Sequence, residues 1–351
     1  MKIEANITGI SYKPFLCREL NLWNLAQIKD AISKESSFIL KLNDTNKIAV
    51  SWWVSSKRTR SYPYARVYDT LGFIGKKITI IPVIKDEGKE GDRDFLQWDT
   101  VSLMSLLGIY VIISYYKEAS RSSRYKHKIT KQVFDIGHIK NNINNLLSYQ
   151  SDALHWNLLQ VNNVGSLAEK AIDSYTNISN NLGIKMHSEE TARKRISKLI
   201  KEKNSFMILS RGLAQKAQER EMATIQPKEH LNGTKAILTI KNYLGGYYYF
   251  TSDEILLDNK NVYLIEGKHT CSNELPSIGD IKDGLLKMIL FTNLENVMIN
   301  DKKYNPIPAL RLTNNSISFE SMTERNKRML AILKKEADLN NFKVFINDKM
   351  I

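Results

Sequence analysis

Hydrophobic and polar positions divide the chain into three stretches with different rhythms. From residue 1 to about 125, short apolar runs alternate with helical spacing. Runs at 48–54, 78–84 and 109–116, rich in β-branched residues, have the length and composition of strands. Between the last two, Phe95, Trp98, Val101, Leu103, Met104 and Leu107 recur at helical spacing and predict a helix over 95–107. Residues 126 to about 222 read as mainly helical. Ser188, followed by Glu189, Glu190 and Thr191, has the form of a helix start that the basic run RKRISKLIKEK continues. Residues 223–351 return to strands. There Ile278, Ile281, Leu285, Leu286 and Ile289 mark one side of a helix over 277–291, and 297–299 and 309–312 read as later strands. The expected class is α/β.

One stretch in the last region carries chemistry. Residues 247–270, YYYFTSDEILLDNKNVYLIEGKHT, read as two paired strands. Asp253 stands where the first apolar run ends, and Glu266 and Lys268 close the second run after Val262, Tyr263, Leu264 and Ile265. Strand alternation puts Glu266 and Lys268 on one face and turns Gly267 away. Pairing the strands brings Asp253 beside Glu266. Two such carboxylates raise each other's pKa unless a cation neutralises them, and a hard divalent ion such as magnesium suits oxygen donors. Glu254 is expected on the opposite strand face, and Asp258, within LLDNKN, reads as a turn residue. The other Glu-x-Lys, Glu87-Gly88-Lys89, falls in the Gly-rich segment KDEGKEGDRD and reads as a charged loop without fixed spacing.

The order strand with Asp, strand ending in Glu-x-Lys, helix, strand, with Ser252-Asp253 and Glu266-Gly267-Lys268 as its motif, resembles the PD-(D/E)XK nuclease superfamily, and within it the type II restriction endonucleases. Ser252 stands where the family carries Pro. The resemblance runs from near Arg220 to Ile299. It implies a restriction-endonuclease-like core, a mixed central sheet flanked by helices, that hydrolyses DNA phosphodiesters by in-line attack of water. Asp253, Glu266 and the Gly267 carbonyl would hold Mg2+, which polarises the phosphate and activates water. Lys268 would position that water and offset charge in the transition state. Family members often add an acid from the preceding helix. Here Glu221, with Glu219 beside it in AQEREM, would reach the metal or orient the water, and a solvated helix face is the equal alternative. Asp280, Lys282, Asp283 and Lys287 on the following helix read mostly as polar surface, with a place in the DNA cleft as the alternative. Cutting both strands with one site per subunit implies a homodimer. A cognate methyltransferase is expected to act on the same DNA site without stable binding.

Charge agrees with a polyanionic partner: 51 Lys and Arg against 37 Asp and Glu give +14, and neutralising phosphates releases counterions. Within KRTRSYPYARVY, Lys57, Arg58, Arg60, Tyr62, Tyr64 and Arg66 are the candidate double-stranded DNA contacts, since arginine forks suit phosphates and guanine edges. A simply basic exposed loop is the alternative. SRSSRYKHK at 120–128 and RKRISK at 193–198 are candidate phosphate clamps. The division that follows is 1–125 for DNA recognition, 126–222 for DNA contact or dimerisation, and 223–351 for catalysis. Asp69, the strand ITIIPVIK with Lys85, a helix and the strand IYVIISYY repeat the order of the catalytic region, which suggests a degenerate copy of the nuclease core or chance alternation.

The remaining composition mainly excludes. With 42% hydrophobic and 25% charged residues the chain is globular material. Two cysteines, Cys17 and Cys271, exclude a disulfide scaffold and a four-cysteine zinc site. The opening MKIEANITGISYKPF lacks the apolar core of a signal peptide, and the apolar run near 103–116 is too short to span a bilayer, so a cytoplasmic location is expected. No P-loop or dinucleotide fingerprint is present. The competing expectations are a structure-specific repair or defence nuclease of the same superfamily, and a DNA-binding protein that does not cleave.

Overall fold

The structure, a computed structural model, describes residues 1–56, 63–200, 234–242, 247–272, 274–314 and 322–351. The chain is mixed α/β and forms two compact units: Met1–Glu19 with Leu213–Ile351, and Leu20–Gly212. The first 19 residues therefore belong with the C-terminal region rather than with the segment that follows them, and 20–125 and 126–200 share one unit. No helix among the described residues is long and apolar enough to cross a membrane.

The chain opens with β1 (Lys2–Ile7). The unit from Leu20 onward then adds β2 (Leu22–Asn24), α1 (Ile28–Lys34), β3 (Ser37–Lys41), β4 (Lys47–Trp52) and α2 (Pro63–Thr70). It continues with β5 (Lys77–Pro82), β6 (Ile84–Asp86), β7 (Arg93–Phe95), α3 (Trp98–Leu106) and β8 (Ile109–Ser114). The hairpin of β9 (Tyr116–Arg121) and β10 (Ile129–Phe134) precedes α4 (Ile136–Leu147), α5 (Ala153–Asn162), α6 (Val164–Leu182) and α7 (Glu189–Ile200). Two boundaries differ from the sequence pattern. Phe95 pairs with Ile84 in the β6–β7 hairpin instead of opening a helix, and the run at 109–116 breaks after Ser114 so that Tyr116 starts β9.

Five strands form a sheet in the order β2-β3-β4-β5-β8. β4, β5 and β8 are mutually parallel neighbours, and β8 is buried along its whole length, as parallel strands covered on both faces must be. β8 ends the sheet, and α5 covers its free edge with side chains. Asn157 Oδ1 accepts from Val111 N at 2.7 Å, Gln160 Oε1 accepts from Ile113 N at 3.2 Å, and Trp156 Nε1 donates to Val111 O at 2.8 Å. Helix side chains thus satisfy the backbone groups that an edge strand leaves unpaired. This sheet also removes the idea of a degenerate nuclease copy: β5 follows a parallel strand through α2, which carries Asp69, whereas the C-terminal unit uses an antiparallel hairpin at the corresponding place.

The unit that contains β1 resumes with β11 (Thr234–Asn242), β12 (Tyr247–Asp258), β13 (Asn261–His269), α8 (Ile278–Phe291) and β14 (Glu295–Ile299). It ends with β15 (Lys302–Thr313), α9 (Glu324–Asn340), β16 (Lys343–Ile346) and β17 (Lys349–Met350). β11, β12 and β13 form an antiparallel meander, and β15 lies parallel beside β13 after the α8 crossover. β1 enters between β11, to which it runs parallel with Ile3 opposite Leu238, and β14, to which it runs antiparallel. Successive pairings from β13 through β12, β11, β1, β14 and β15 return to β13, so the strands close a circuit. Glu336 on α9 is fully buried and accepts from Tyr12 Oη at 2.7 Å and from the backbone of Phe15 at 2.8 Å, which fastens the N-terminal segment to this unit.

Helix α8 is the element that positions the candidate site. Ser277 caps it by accepting from Asp280 N, which satisfies one orphan donor of the first turn. Ile281, Leu285, Leu286, Met288, Ile289, Leu290 and Phe291 are all buried, a distribution around the whole circumference that marks an enclosed helix. Two lysines, Lys282 and Lys287, are carried into that buried environment.

Candidate functional site

The three residues of the hairpin motif converge at the step where the β12–β13 ladder stops. The last register pair toward the motif is Glu254 opposite Ile265. On the other side of β12, the register with β11 moves from Ala236–Ser252 to Thr234–Ile255, so β12 carries one extra residue there. This bulge falls on the Asp253 segment. Asp253 is therefore not at the end of a strand, as the apolar pattern implied; it sits inside a 12-residue strand, at an irregularity of the kind that re-aims side chains. Ser252, in the position of the family's Pro, is fully buried, and its hydroxyl lies 2.9 Å from Glu254 O and 3.1 Å from Ile265 O. It bridges the two strands across the bulge.

Asp253 Oδ2 accepts from Gly267 N at 2.8 Å. A residue in an extended strand presents its N–H and C=O to the same edge, so the Gly267 carbonyl faces the edge on which Asp253 stands. Glu266, 1% exposed, is held from two sides: Oε1 by Lys268 Nζ at 2.9 Å and Oε2 by Lys287 Nζ at 2.6 Å. Lys268 Nζ also meets Asp283 Oδ2 at 2.9 Å, and Lys287 Nζ lies 3.4 Å from Thr251 O. Burial alone would raise the Glu266 carboxyl, but the charges of Lys287 and Lys268 outweigh it and bring it down to about 2. Burial likewise works against the charged form of Lys268, and Glu266 and Asp283 overcome it, so this ammonium is held protonated well above its ordinary range.

Glu254 lies on the opposite face, as alternation requires, and is ion-paired with Arg311 of β15, whose guanidinium also lies 5.6 Å from the Phe345 ring centroid. It takes no part in the carboxylate cluster. Asp258 ends β12 opposite Asn261, a turn-flanking position as its sequence context suggests. Asp283 and Lys287, read from sequence mostly as polar surface, are instead partners of the motif. Their signal was available: they sit four residues apart, on one stripe of a helix otherwise apolar nearly all round.

The donors that the described residues offer a divalent cation are the Asp253 and Glu266 carboxylates and the Gly267 carbonyl. No group of three His, Cys, Asp or Glu side chains able to hold a metal occurs among the described residues. An all-oxygen set with one or two carboxylates is nevertheless the set magnesium uses, because it keeps several of its waters. The described ion pairs of the cluster set Glu266 and Asp283 against Lys268 and Lys287, two carboxylates and two ammoniums.

The other expected site residues divide sharply. Lys57, Arg58, Arg60, Tyr62, Glu219 and Glu221 lie outside the described residues. Tyr64 and Arg66 do not extend outward as DNA contacts. Tyr64 is buried and meets the Trp53 ring edge-on at 6.0 Å. Arg66 donates to Trp52 O at 3.0 Å with its guanidinium 4.3 Å from the Trp52 ring centroid. Both are recruited to pack α2, where most of the side chains are buried. In RKRISK, Arg193 pairs with Glu169, Asp173 and Glu189, and Arg195 stacks 4.1 Å over Phe95. In 120–128, Arg121, Arg124 and Lys126 are exposed, while Lys128 pairs with Glu87 at 3.2 Å. Glu87-Gly88-Lys89 is no loose charged loop. Glu87 also binds Lys85 at 2.7 Å, and Gly88, at φ +90°, packs its Cα against the His127 carbonyl.

Comparisons with protein-family models, curated proteins and solved structures found no match.

Proposed function

We propose that this protein is a magnesium-dependent endonuclease acting on double-stranded DNA, of the type II restriction class, on a PD-(D/E)XK core. The observation that carries the reading is the convergence of Asp253, Glu266 and Lys268 at one ladder break, with Glu266 buried and ionised. The antiparallel meander followed by the α8 crossover to a parallel strand supports it, since this is the order the resemblance implies. Net charge of +14 suits a polyanionic substrate.

The residues divide the work. Asp253, Glu266 and the Gly267 carbonyl hold the ion; Glu221 is the further acid the resemblance adds. When bound, the ion supplies Lewis-acid charge at the scissile phosphate. With Lys287 and Lys268 bringing its carboxyl down to about 2, Glu266 is ionised at neutral pH, which suits a ligand rather than a proton donor. Lys268 stays protonated at neutral pH, so it acts as a fixed positive charge and hydrogen-bond donor toward the phosphate rather than as a base. Asp283 holds that ammonium in place. A homodimer would bring one such site to each strand of the duplex, with a methyltransferase protecting the same sequence.

Incubation of the full-length protein with plasmid DNA and Mg2+ tests the reading. Discrete bands that disappear with EDTA and with D253A, E266Q and K268A are expected. Wild-type cleavage by those variants, or no cleavage of any DNA under any divalent ion, overturns it.

A further inference from the structure

We propose that Arg195 is a contact for a backbone phosphate of duplex DNA, presented by α7 over Phe95 and backed by Arg93. This rests on the nuclease reading above only in taking DNA as the substrate, and it concerns the unit Leu20–Gly212 alone. Three consecutive cations open the basic run of α7, and they are not neutralised alike. Arg193 meets Glu169, Asp173 and Glu189, and Lys194 Nζ pairs with Glu190 one turn back at 2.6 Å. Arg195 has no carboxylate partner among the described residues; its guanidinium carbon sits 4.1 Å from the Phe95 ring centroid.

Helical geometry explains the split. Residues two apart on a helix point about 200° away from each other. Arg193 therefore turns to α6, which supplies Glu169 and Asp173, while Arg195 turns to the β6–β7 hairpin. On β7, alternation puts Arg93 and Phe95 on one face, and the Arg93 guanidinium carbon lies 5.5 Å from the same ring centroid. Two guanidiniums thus share one buried ring. Arg93 is held in place: Nη1 donates to Ser188 O at 2.9 Å and lies 4.0 Å from Asp86 Oδ2, and the side chain is 15% exposed. The other oxygen of Asp86 accepts from Gly88 N at 2.8 Å and lies 2.8 Å from His187 Nδ1. One carboxylate, itself shared, stands on the Arg93 side of the ring.

An aromatic face attracts a cation but supplies no counter-charge. Burial first, and the charge of Arg93 second, pull the half-buried Arg195 guanidinium below its ordinary range. A bound anion offsets both effects. A phosphodiester suits the place, because its two free oxygens match the parallel N–H groups of a guanidinium fork. Merely covering Phe95 requires the aliphatic stem and not the charge, and that difference is measurable.

The full-length protein in EDTA, where no cleavage intervenes, is titrated with a fluorescein-labelled duplex at several salt concentrations. Arg195→Met keeps an apolar stem over Phe95 and removes the charge. It should weaken binding about tenfold and lower the slope of log affinity against log salt by about one, equally for unrelated sequences. Arg195→Lys should keep the wild-type slope. Lys194→Met makes the same change in net charge next door and should also keep it. R195M with wild-type affinity and slope, or an equal drop in R195M and K194M, overturns the proposal, while plasmid cleavage by the wild-type chain still upholds the nuclease reading. A wild-type chain that binds no duplex overturns both. Should R195M fail to fold, phenylglyoxal labelling of the wild-type chain, mapped by mass spectrometry, decides. Duplex should protect Arg195, and inorganic phosphate at equal ionic strength should not. Equal labelling with and without duplex, or protection by inorganic phosphate alone, overturns the proposal.

Discussion

Asp253 accepts the backbone N–H of Gly267 at 2.8 Å, one step beyond the last paired residues of β12 and β13. The carboxylate thereby takes the part of a missing ladder carbonyl and ties the two halves of the motif together. Two substitutions separate its structural and chemical duties. Asp253→Ala leaves the Gly267 N–H without this acceptor and should cost about 1–3 kcal/mol. Asp253→Asn retains an acceptor oxygen and should cost less than about 1 kcal/mol, yet lower cleavage about a thousandfold, because several kcal/mol of charge stabilisation is lost. Urea unfolding and plasmid digestion of both variants measure the two effects independently. Equal activity in D253N and wild type would remove Asp253 from the proposed metal site.

Glu266 should dominate the acid limb of stability. Its carboxyl is about 2 in the folded chain against an ordinary value of 4.5. A group whose folded value is depressed stabilises the fold above its unfolded value, and that contribution fades as pH falls toward the folded one. The window is therefore from about pH 4.5 down to about 2. Glu266→Gln strips two buried ammoniums of their shared counter-charge and should cost about 3–5 kcal/mol at neutral pH. The gap between wild type and variant should narrow as pH falls through that window. A gap that stays constant from pH 7 to pH 3 would show that the carboxylate is not ion-paired as described.

Period-two alternation was enough to put Glu266 and Lys268 on one face and Glu254 on the other, because β13 keeps an unbroken register with β15 from Asn261 to His269. The bulge at Asp253 was not legible. It depends on which residue of β11 faces Ser252, a long-range register that no local pattern contains. The same limit hid β1, whose buried–exposed alternation is clear but whose neighbours, β11 and β14, lie more than two hundred residues away. Asp283 and Lys287 were misread for a different reason. Charged residues on helices are usually solvated, and only the apolar residues on every other side of α8 reveal that these two point inward. Tyr64 and Arg66 were misread because aromatic and guanidinium groups suit a nucleic-acid surface and a packed helix equally well. Burial against Trp52 and Trp53 decides between them here.

The covered edge of β8 makes Asn157 a stability residue. It is 1% exposed, accepts from Val111 N at 2.7 Å and donates to Ile109 O at 3.0 Å and Ser105 Oγ at 2.9 Å. Asn157→Leu keeps the branched shape and removes all three bonds, leaving buried backbone groups without these partners. A loss of about 2–4 kcal/mol is expected by chemical denaturation. Leu159 on the same helix is 49% exposed, and Leu159→Ala should stay within about 0.5 kcal/mol. If N157L is no worse than L159A, the helix does not serve as the surrogate partner of β8.

Gly284 sets how closely α8 approaches the motif strand. A Cβ at this position would stand 2.7 Å from Leu310 Cδ1 and 3.2 Å from Lys268 Cε, so the helix reaches the sheet only because no side chain intervenes. Gly284→Ala gains helix propensity worth about 1 kcal/mol and pays an overpacking cost of about 1–3 kcal/mol. The net change in stability should therefore be less than about 2 kcal/mol. Catalysis should be far more sensitive. Leu310 is fully buried, so the strain is relieved by moving α8 or the Lys268 stem, and either shift displaces the ammonium shared by Glu266 and Asp283. If Lys268 meets the scissile phosphate as proposed, a displacement of its charge on the order of 1 Å costs about a hundredfold in rate. Parallel measurement of unfolding free energy and of cleavage rate at saturating Mg2+ should show a small loss in the first and a large loss in the second. A G284A variant that cleaves at the wild-type rate would mean that Lys268 does not depend on α8 for its position.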